Sequence, residues 1–495
     1  MTQCSAKRST EQGQMSLDLG LGKVIEANFD GGRISSDGGI LLLRKADDSL
    51  ELLETAAFCL EETRRADLVR HQRLDMLRQR VYGIAHLYED CNDAQFLRSD
   101  DMHKLAVGRL PSEADLASQP TLSRFENCVD DVSLKALQQV LVHAYVRMRK
   151  ATAPLRCQKV VRLQMDTTCD PTHGYQQMTF YSGFYETDCY VPLFIFTDDG
   201  FPLSALLRAG NAAPGDGALR MLKMVVEELR LAWPGVRIEL TADAAFGLPE
   251  IYNWCEDNSV TYYIAIKANA GLDYHTKELV VRCKELYDLG NPKPSGDLKH
   301  GHLNPQERYR QWRQHEERKR YGSKDEGRMQ QHFEEDRWLV RCFHSFMYDA
   351  REWRYKRRII ARIQFDALGP DVRYVVTNSR KGTPQVVYEK YCLRARCENW
   401  IKDLKNYLLS GRTSCQEFNA NQFRVLLHAF AYALIWKVKK AAGLEHATVE
   451  SVRLKLFKIG VQVRENSRAV RLQLASQHPY QCEFVRAWSK LSRAG

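Results

Sequence analysis

Apolar positions recur at helical spacing from about residue 40 to residue 150 and then switch to alternation. In "RADLVRHQRLDMLRQRVYGIAHLYED", Leu68, Leu74, Leu77, Val81, Ile84 and Leu87 gather near one face with polar residues opposite, which predicts an amphipathic helix. At "KVVRLQMDTT" the period becomes two: Val161, Leu163 and Met165 alternate as in a strand, and Asp166 stands at its end. Short strands are expected at "VPLFIFTDD" and "FPLSALLRAGN", then a helix through "GALRMLKMVVEELRLAW". In "VRIELTADAAFG", Ile238, Leu240 and Ala242 alternate and Asp243 again closes the strand. A helix at "LPEIYNWCEDN" and a strand at "TYYIAIKAN" complete the series.

Three strands followed by helix, strand, helix, strand describe a mixed sheet of α/β type. The carboxyl ends of its strands are where such sheets place chemistry. From about Leu272 the pattern breaks, and "NPQERYRQWRQHEERKRYGSKDEGRMQQHFEEDR" is too polar to hold a core. Beyond it "WLVRCFHSFMY", "WRYKRRIIARIQF" and "DVRYVVTNS" read as strands. The expected organisation is a helical N-terminal domain (1–150), a first part of an α/β core (155–271), a β-rich insertion with a charged arm (272–387), the last part of the core (388–440) and a C-terminal region (441–495). In that last region the turn "ENS" between "IGVQV" and "AVRLQLAS" predicts a hairpin.

The segment "YCLRARCENWIKDLKNYLL" reads as one helix. At 100° per residue Tyr391, Arg394, Glu398, Lys402 and Lys405 fall within an arc of about 80°. Leu393, Cys397, Trp400 and Leu404 form the apolar face opposite. On an isolated helix such a polar stripe is a solvated face with an Arg394–Glu398 pair. A second helix, "QFRVLLHAFAYALIWKVKKA", is apolar almost all round.

Composition changes the picture in three respects. The net charge of +10 suits a polyanionic partner, and nine Lys or Arg against two Glu from Ser451 onward make the C-terminal region the basic pole. The 14 cysteines are ordinary for 495 residues and form no CxxC pair, so reduced thiols in cytoplasm are expected and zinc is not; Cys392 and Cys397 lack a second ligand pair. No signal segment or membrane span is expected, because the run "VLLHAFAYALIW" is too short and carries His428. His173 and His428 have no metal-ligand spacing around them and read as structural or solvated.

Asp166, Asp243 and Glu398 are far apart in sequence, so only a fold brings two strand ends and one helix face together. With those residues the sequence resembles the DDE transposases of bacterial insertion sequences. Tyr391, Arg394, Glu398 and Lys405 match the Tyr-x2-Arg-x3-Glu-x6-Lys signature of the branch that includes insertion sequence four. "SSDGGILLLR", "YEDCNDAQFLR", "LASQPTLSRFEN", "LRAGN" and "NANQFRVLLHAFAY" are similar to blocks of the family numbered thirteen-eighty. One departure is "TADAAFG", where relatives carry Arg-x-Asp-Ser-x-Phe: Thr241 and Ala244 stand in the polar places, while Asp243 and Phe246 persist.

The resemblance implies an RNase H-like mixed-sheet core and cut-and-paste DNA transposition: binding of double-stranded DNA at terminal inverted repeats, strand cleavage, a hairpin intermediate and transfer to target DNA. It implies Asp166, Asp243 and Glu398 as catalytic ligands of two Mg²⁺, which Mn²⁺ replaces, about 3.5–4 Å apart. Tyr391, Arg394 and Lys405 would contact phosphates; Lys402 shares the stripe but not the signature. Trp312, Trp338 and Trp353 are the candidates for stacking a flipped base. A homodimer in the bacterial cytoplasm, with no membrane contact, is implied as the working unit. Two alternatives stay open: an RNase H-like nuclease or resolvase without strand transfer, and a transposase-derived DNA-binding protein without catalysis.

Overall fold

The computed structural model describes residues 15–152, 158–290, 339–366 and 368–493. They divide into two compact units: residues 141–402 form one, and residues up to 140 together with those from 403 onward form the other.

The 141–402 unit is built on an eight-stranded sheet among the described residues. Its strands are β1 (Val160–Thr167), β2 (Leu193–Thr197), β3 (Pro202–Leu206), β4 (Arg237–Ala242), β5 (Val260–Ile266), β6 (Val340–Tyr348), β7 (Arg357–Asp366) and β8 (Gly369–Thr377), in the spatial order β6-β7-β8-β5-β4-β1-β2-β3. β1, β4 and β5 run parallel, and β2 pairs antiparallel with both β1 and β3. β2 and β3 are buried along their whole length, so they read as continuous apolar runs rather than as alternation. Helix α1 (Ala218–Ala232) joins β3 to β4 and buries the stripe Met221, Leu222, Val225, Val226 and Leu229. Helix α2 (Pro249–Asp257), opened by its proline, joins β4 to β5.

The strands expected in the β-rich insertion continue this sheet. β8 pairs antiparallel with β5 from Tyr263–Thr377 to Ile266–Tyr374, and β7 and β6 follow outward. The edge of β5 would otherwise present unpaired N–H and C=O groups, and β8 satisfies them. Helix α3 (Ala270–Gly290) is tied to β8 by Tyr374, whose hydroxyl meets Thr276 at 2.8 Å and Asp273 at 2.9 Å. The charged arm, with Trp312 and Trp338, lies outside the described residues.

The helix expected over Tyr391–Leu409 is two helices, α4 (Pro384–Cys392) and α5 (Ala395–Tyr407), jointed at Leu393–Arg394. Val387 and Tyr388 on α4 are buried with Tyr263, Ile360 and Val375, and Tyr391 packs against the same cluster. On α5 the buried apolar positions are Cys397, Ile401 and Leu404. On one straight helix these two apolar stripes would point roughly 120° apart, so the joint lets both be buried.

The other unit surrounds the helix Phe418–Ala442, buried over nearly all its length. Helices Ile40–Leu50, Arg73–Ala85, Gln119–Asn127 and Gln481–Ser492 pack on it. Of the stripe expected around Arg73–Ala85, Leu77, Val81 and Ile84 are fully buried, whereas Leu68 and Leu87 fall beyond the helix ends and are exposed. The expected C-terminal hairpin forms: Val461–Glu465 pairs with Val470–Leu474, and a third strand, Ile34–Ser35, joins its edge.

Polar residues of the sequence blocks knit this unit together. Glu126, fully buried, accepts from Arg80 at 2.6 Å and from Arg424 at 2.8 Å. Burial pushes its carboxyl up, but the two guanidiniums prevail and hold it at about 2. Asp37 takes His103 at 2.9 Å and Lys458 at 2.8 Å. A Cβ on Gly39 would lie 1.8 Å from the Leu456 carbonyl, so only glycine fits there. His428 is buried, with Nδ1 2.8 Å from the Arg424 carbonyl, which makes it structural.

Candidate active site

Two parallel strands set the first pair of carboxylates. Ala242 of β4 pairs with Met165 of β1, so Asp243 and Asp166 follow at one level on strands about 4.8 Å apart. Asp166 is 7% exposed. Its Oδ1 accepts from the Thr167 N–H at 2.9 Å and its Oδ2 from Arg394 at 2.9 Å. Burial pushes its carboxyl up to about 6, opposed by Arg394 and reinforced by the charges of Asp243 and Glu398. Asp243 accepts from the Ala245 N–H at 2.9 Å and so caps the 3-10 turn Ala244–Phe246, which Phe246 anchors in the core.

The departure at "TADAAFG" has a local account. Thr241 donates to the Leu163 carbonyl at 3.2 Å within the sheet, and Ala244 belongs to the capped turn. Neither side chain offers a group to a phosphate in this arrangement.

Glu398 arrives on the first turn of α5. That helix is seated by Trp400, whose ring lies 5.5 Å from Phe196 on β2. The turn after β2 carries Gly200 at φ +88°, and a Cβ there would stand 2.7 Å from the Trp400 ring. Glycine therefore admits both the backbone conformation and the indole. From the joint before α5, Arg394 spans two acids: Nη1 to Asp166 at 2.9 Å and Nη2 to Glu398 at 2.8 Å. Tyr391 stands beside the same residue, its carbonyl accepting from the Arg394 N–H at 3.0 Å. The three acids thus converge around Arg394, although Tyr391 and Arg394 precede α5 instead of sharing its stripe. Lys402 and Lys405 remain on α5 one and two turns beyond Glu398, Lys402 exposed and Lys405 half-buried.

Trp353 is half-buried between Tyr252 and Tyr348, at 5.7 and 5.8 Å, with the Arg357 guanidinium 5.0 Å from its ring. These contacts make it part of a packed aromatic cluster. His173 is exposed.

Sequence reasoning missed Tyr185, in the turn between strands Phe180–Ser182 and Thr187–Tyr190. Burial pushes its phenol up, and the charges of Asp166 and Asp243 add to that rise. The aromatic density of "FYSGFYETDCY" was the signal that could have found it. Arg208 of "LRAGN" was also passed over. Buried, it donates to the carbonyls of Val191 and Pro214, both at 2.9 Å, and clamps the loop after β3.

The donors are all carboxylate oxygens, the class that hard divalent cations take. With the Arg394 guanidinium between Asp166 and Glu398, no three His, Cys, Asp or Glu residues among the described residues stand close enough to share one ion. The donor set fits in kind, and Arg394 occupies its centre. No helix among the described residues is long and apolar enough to cross a membrane.

No curated protein matches the chain. A solved piggyBac transposase synaptic complex with hairpin DNA is similar at 10% identity, over 93% of this chain and 82% of its own, with a TM-score of 0.38. The family described as Transposase DDE domain group 1 matches residues 17–495 and so spans both units and all three acids. The chain belongs to that transposase family.

Proposed function

We propose that the protein moves an insertion sequence by cut and paste, with Asp166, Asp243 and Glu398 as its catalytic carboxylates. The observation that carries this is their convergence: Asp166 and Asp243 stand level on adjacent parallel strands, and Arg394 links Asp166 to Glu398. The strand order β3-β2-β1-β4-β5, with β2 alone running against the other four, supports an RNase H-like core.

The three carboxylates would hold two Mg²⁺, for which Mn²⁺ is a substitute; the ions when bound activate the attacking oxygen and stabilise the leaving one. The chain's own residues supply the rest. Rigid strands fix the two aspartates, and α5 carries Glu398 to them. Arg394 can fork onto a phosphate, and the Tyr391 hydroxyl can donate to one. Lys405, and more weakly Lys402, extend the cationic line along α5. Water attacks the scissile phosphorus, the 3′ oxygen leaves, and the freed 3′ hydroxyl becomes the nucleophile on the opposite strand, closing a hairpin, or on target DNA.

The partners proposed are terminal inverted repeats and target duplex, held by a homodimer in the bacterial cytoplasm, with the helical N-terminal region and the basic C-terminal region contributing DNA contacts. Asp166→Ala, Asp243→Ala and Glu398→Ala should each abolish Mg²⁺-dependent cleavage of end DNA while binding to that DNA stays nearly unchanged. Wild-type cleavage by any of the three would sink the assignment. Denaturing gels of the same reactions read hairpin, nick and strand-transfer products separately, and cleavage without joining would favour a nuclease or resolvase instead.

A further inference from the structure

Asp166 has one oxygen committed to the backbone and one facing its neighbours. Its Oδ1 is taken by the Thr167 N–H, and its Oδ2 receives Arg394 at 2.9 Å. The second arm of the same guanidinium reaches Glu398 Oε1 at 2.8 Å. The side chain is 18% exposed, and the Arg394 N–H donates to the Tyr391 carbonyl at 3.0 Å. Arg394 therefore sits on oxygens that a divalent cation between the first and third carboxylates would need. Its backbone lies in the joint between α4 and α5, outside the regular helix of either.

We propose that Arg394 is the resident cation of this site, bridging Asp166 and Glu398 until DNA arrives and yielding those oxygens to metal as it swings to a phosphate. The inference rests on the carboxylates being the metal site. A guanidinium and a divalent ion compete for the same oxygens and repel each other at that range. A DNA phosphate offers the fork a bidentate partner of equal quality. The exchange makes metal binding and DNA binding favour one another, and such coupling is reciprocal. A phosphate's own oxygens also attract the metal, so the arginine's share is what changes when Arg394 alone is altered.

The test is Mn²⁺ binding to the full-length protein without DNA, counted by electron paramagnetic resonance for wild type, Arg394→Gln, Arg394→Lys and Asp166→Ala. Circular dichroism and melting verify the fold of each. Arg394→Gln should bind Mn²⁺ about fivefold or more tightly than wild type, a typical coupling magnitude. Arg394→Lys should fall between them, because one ammonium cannot fork across two carboxylates. Adding a short duplex should tighten Mn²⁺ binding more in wild type than in Arg394→Gln. Equal or weaker affinity in Arg394→Gln, with Asp166→Ala losing the ion, would overturn the resident-cation role and leave the metal site standing. No binding that depends on Asp166 in any variant would overturn both. Should Arg394→Gln fail to fold, Arg394→Lys, which keeps the charge but cannot fork across two carboxylates, carries the test. It should raise Mn²⁺ affinity in the same direction, and no rise there counts against the proposal.

Discussion

At the scale of single residues, Asp166 carries the sharpest conflict between stability and chemistry. Burial lifts its carboxyl to about 6, with Arg394 opposing and the other two acids reinforcing. A folded-state pKa raised above the unfolded value means that the folded chain binds the proton more tightly, so stability falls as pH rises from about 4 through 6 and is flat above. Asparagine imitates the protonated acid. In the presence of chelator, Asp166→Asn should melt a few degrees above wild type at pH 7.5 and nearly level with it at pH 4.5, while cleavage is lost. A melting difference that does not change with pH would mean that the carboxylate is not strained by its burial. The acids at strand ends were legible in the sequence because alternation and position are local. Tyr185 was not, because its place near Asp166 depends on the turn that joins Phe180–Ser182 to Thr187–Tyr190.

At the scale of elements, the seat of α5 decides where Glu398 stands. Gly200→Ala forces a side chain into φ +88° and against Trp400 at 2.7 Å, a backbone cost of roughly 1–2 kcal/mol before any displacement of the helix. Because a shift of about 1 Å at a reacting group costs on the order of a hundredfold in rate, the expected outcome is a modest fall in melting temperature with a much larger fall in single-turnover cleavage. Proportionate losses in the two measurements would show that Gly200 matters only to folding. The strands β1, β4 and β5 could be read from their period, whereas the pairing of β8 onto β5 could not, since partners over a hundred residues apart leave no mark in a local pattern. The joint at Leu393–Arg394 was hidden for a related reason. The buried stripe of α4 lies at Val387 and Tyr388, before the window in which the polar stripe was drawn.

At the scale of the whole molecule, the basic C-terminal region proves to be structural as well as charged. Its hairpin pairs with Ile34–Ser35, Lys458 is spent on Asp37, and the helix Gln481–Ser492 packs on the central helix. Truncating it would damage the fold, so its role in DNA binding is better probed by the exposed Arg464, Arg468 and Arg471. Changing all three to Gln should leave melting within a degree or two. It should reduce the slope of log affinity against log salt by roughly 0.9 for each phosphate that these arginines neutralise. An unchanged slope would remove this hairpin from the DNA interface. Glu126→Gln is the contrasting case, because it leaves Arg80 and Arg424 buried with half their partner. It should cost about 3–5 kcal/mol in denaturant titrations.

Glu126 also joins an earlier part of the chain to a much later one. Arg80 and Glu126 precede the 141–402 unit in the chain and Arg424 follows it. The early segment therefore emerges with its acid unmatched by the second guanidinium and with its central helix still unmade. From Glu126 to Arg424 the ribosome adds 424 − 126 = 298 residues, which take roughly 15–60 s at about 5–20 residues per second. For that interval the two aspartates of β1 and β4 exist on a chain whose other unit cannot yet close. A message cut short before residue 418 would yield all three acids and none of the helix that unit is built around. Synthesis of the helix Phe418–Ala442 thus acts as the clock on closure of the unit built around it.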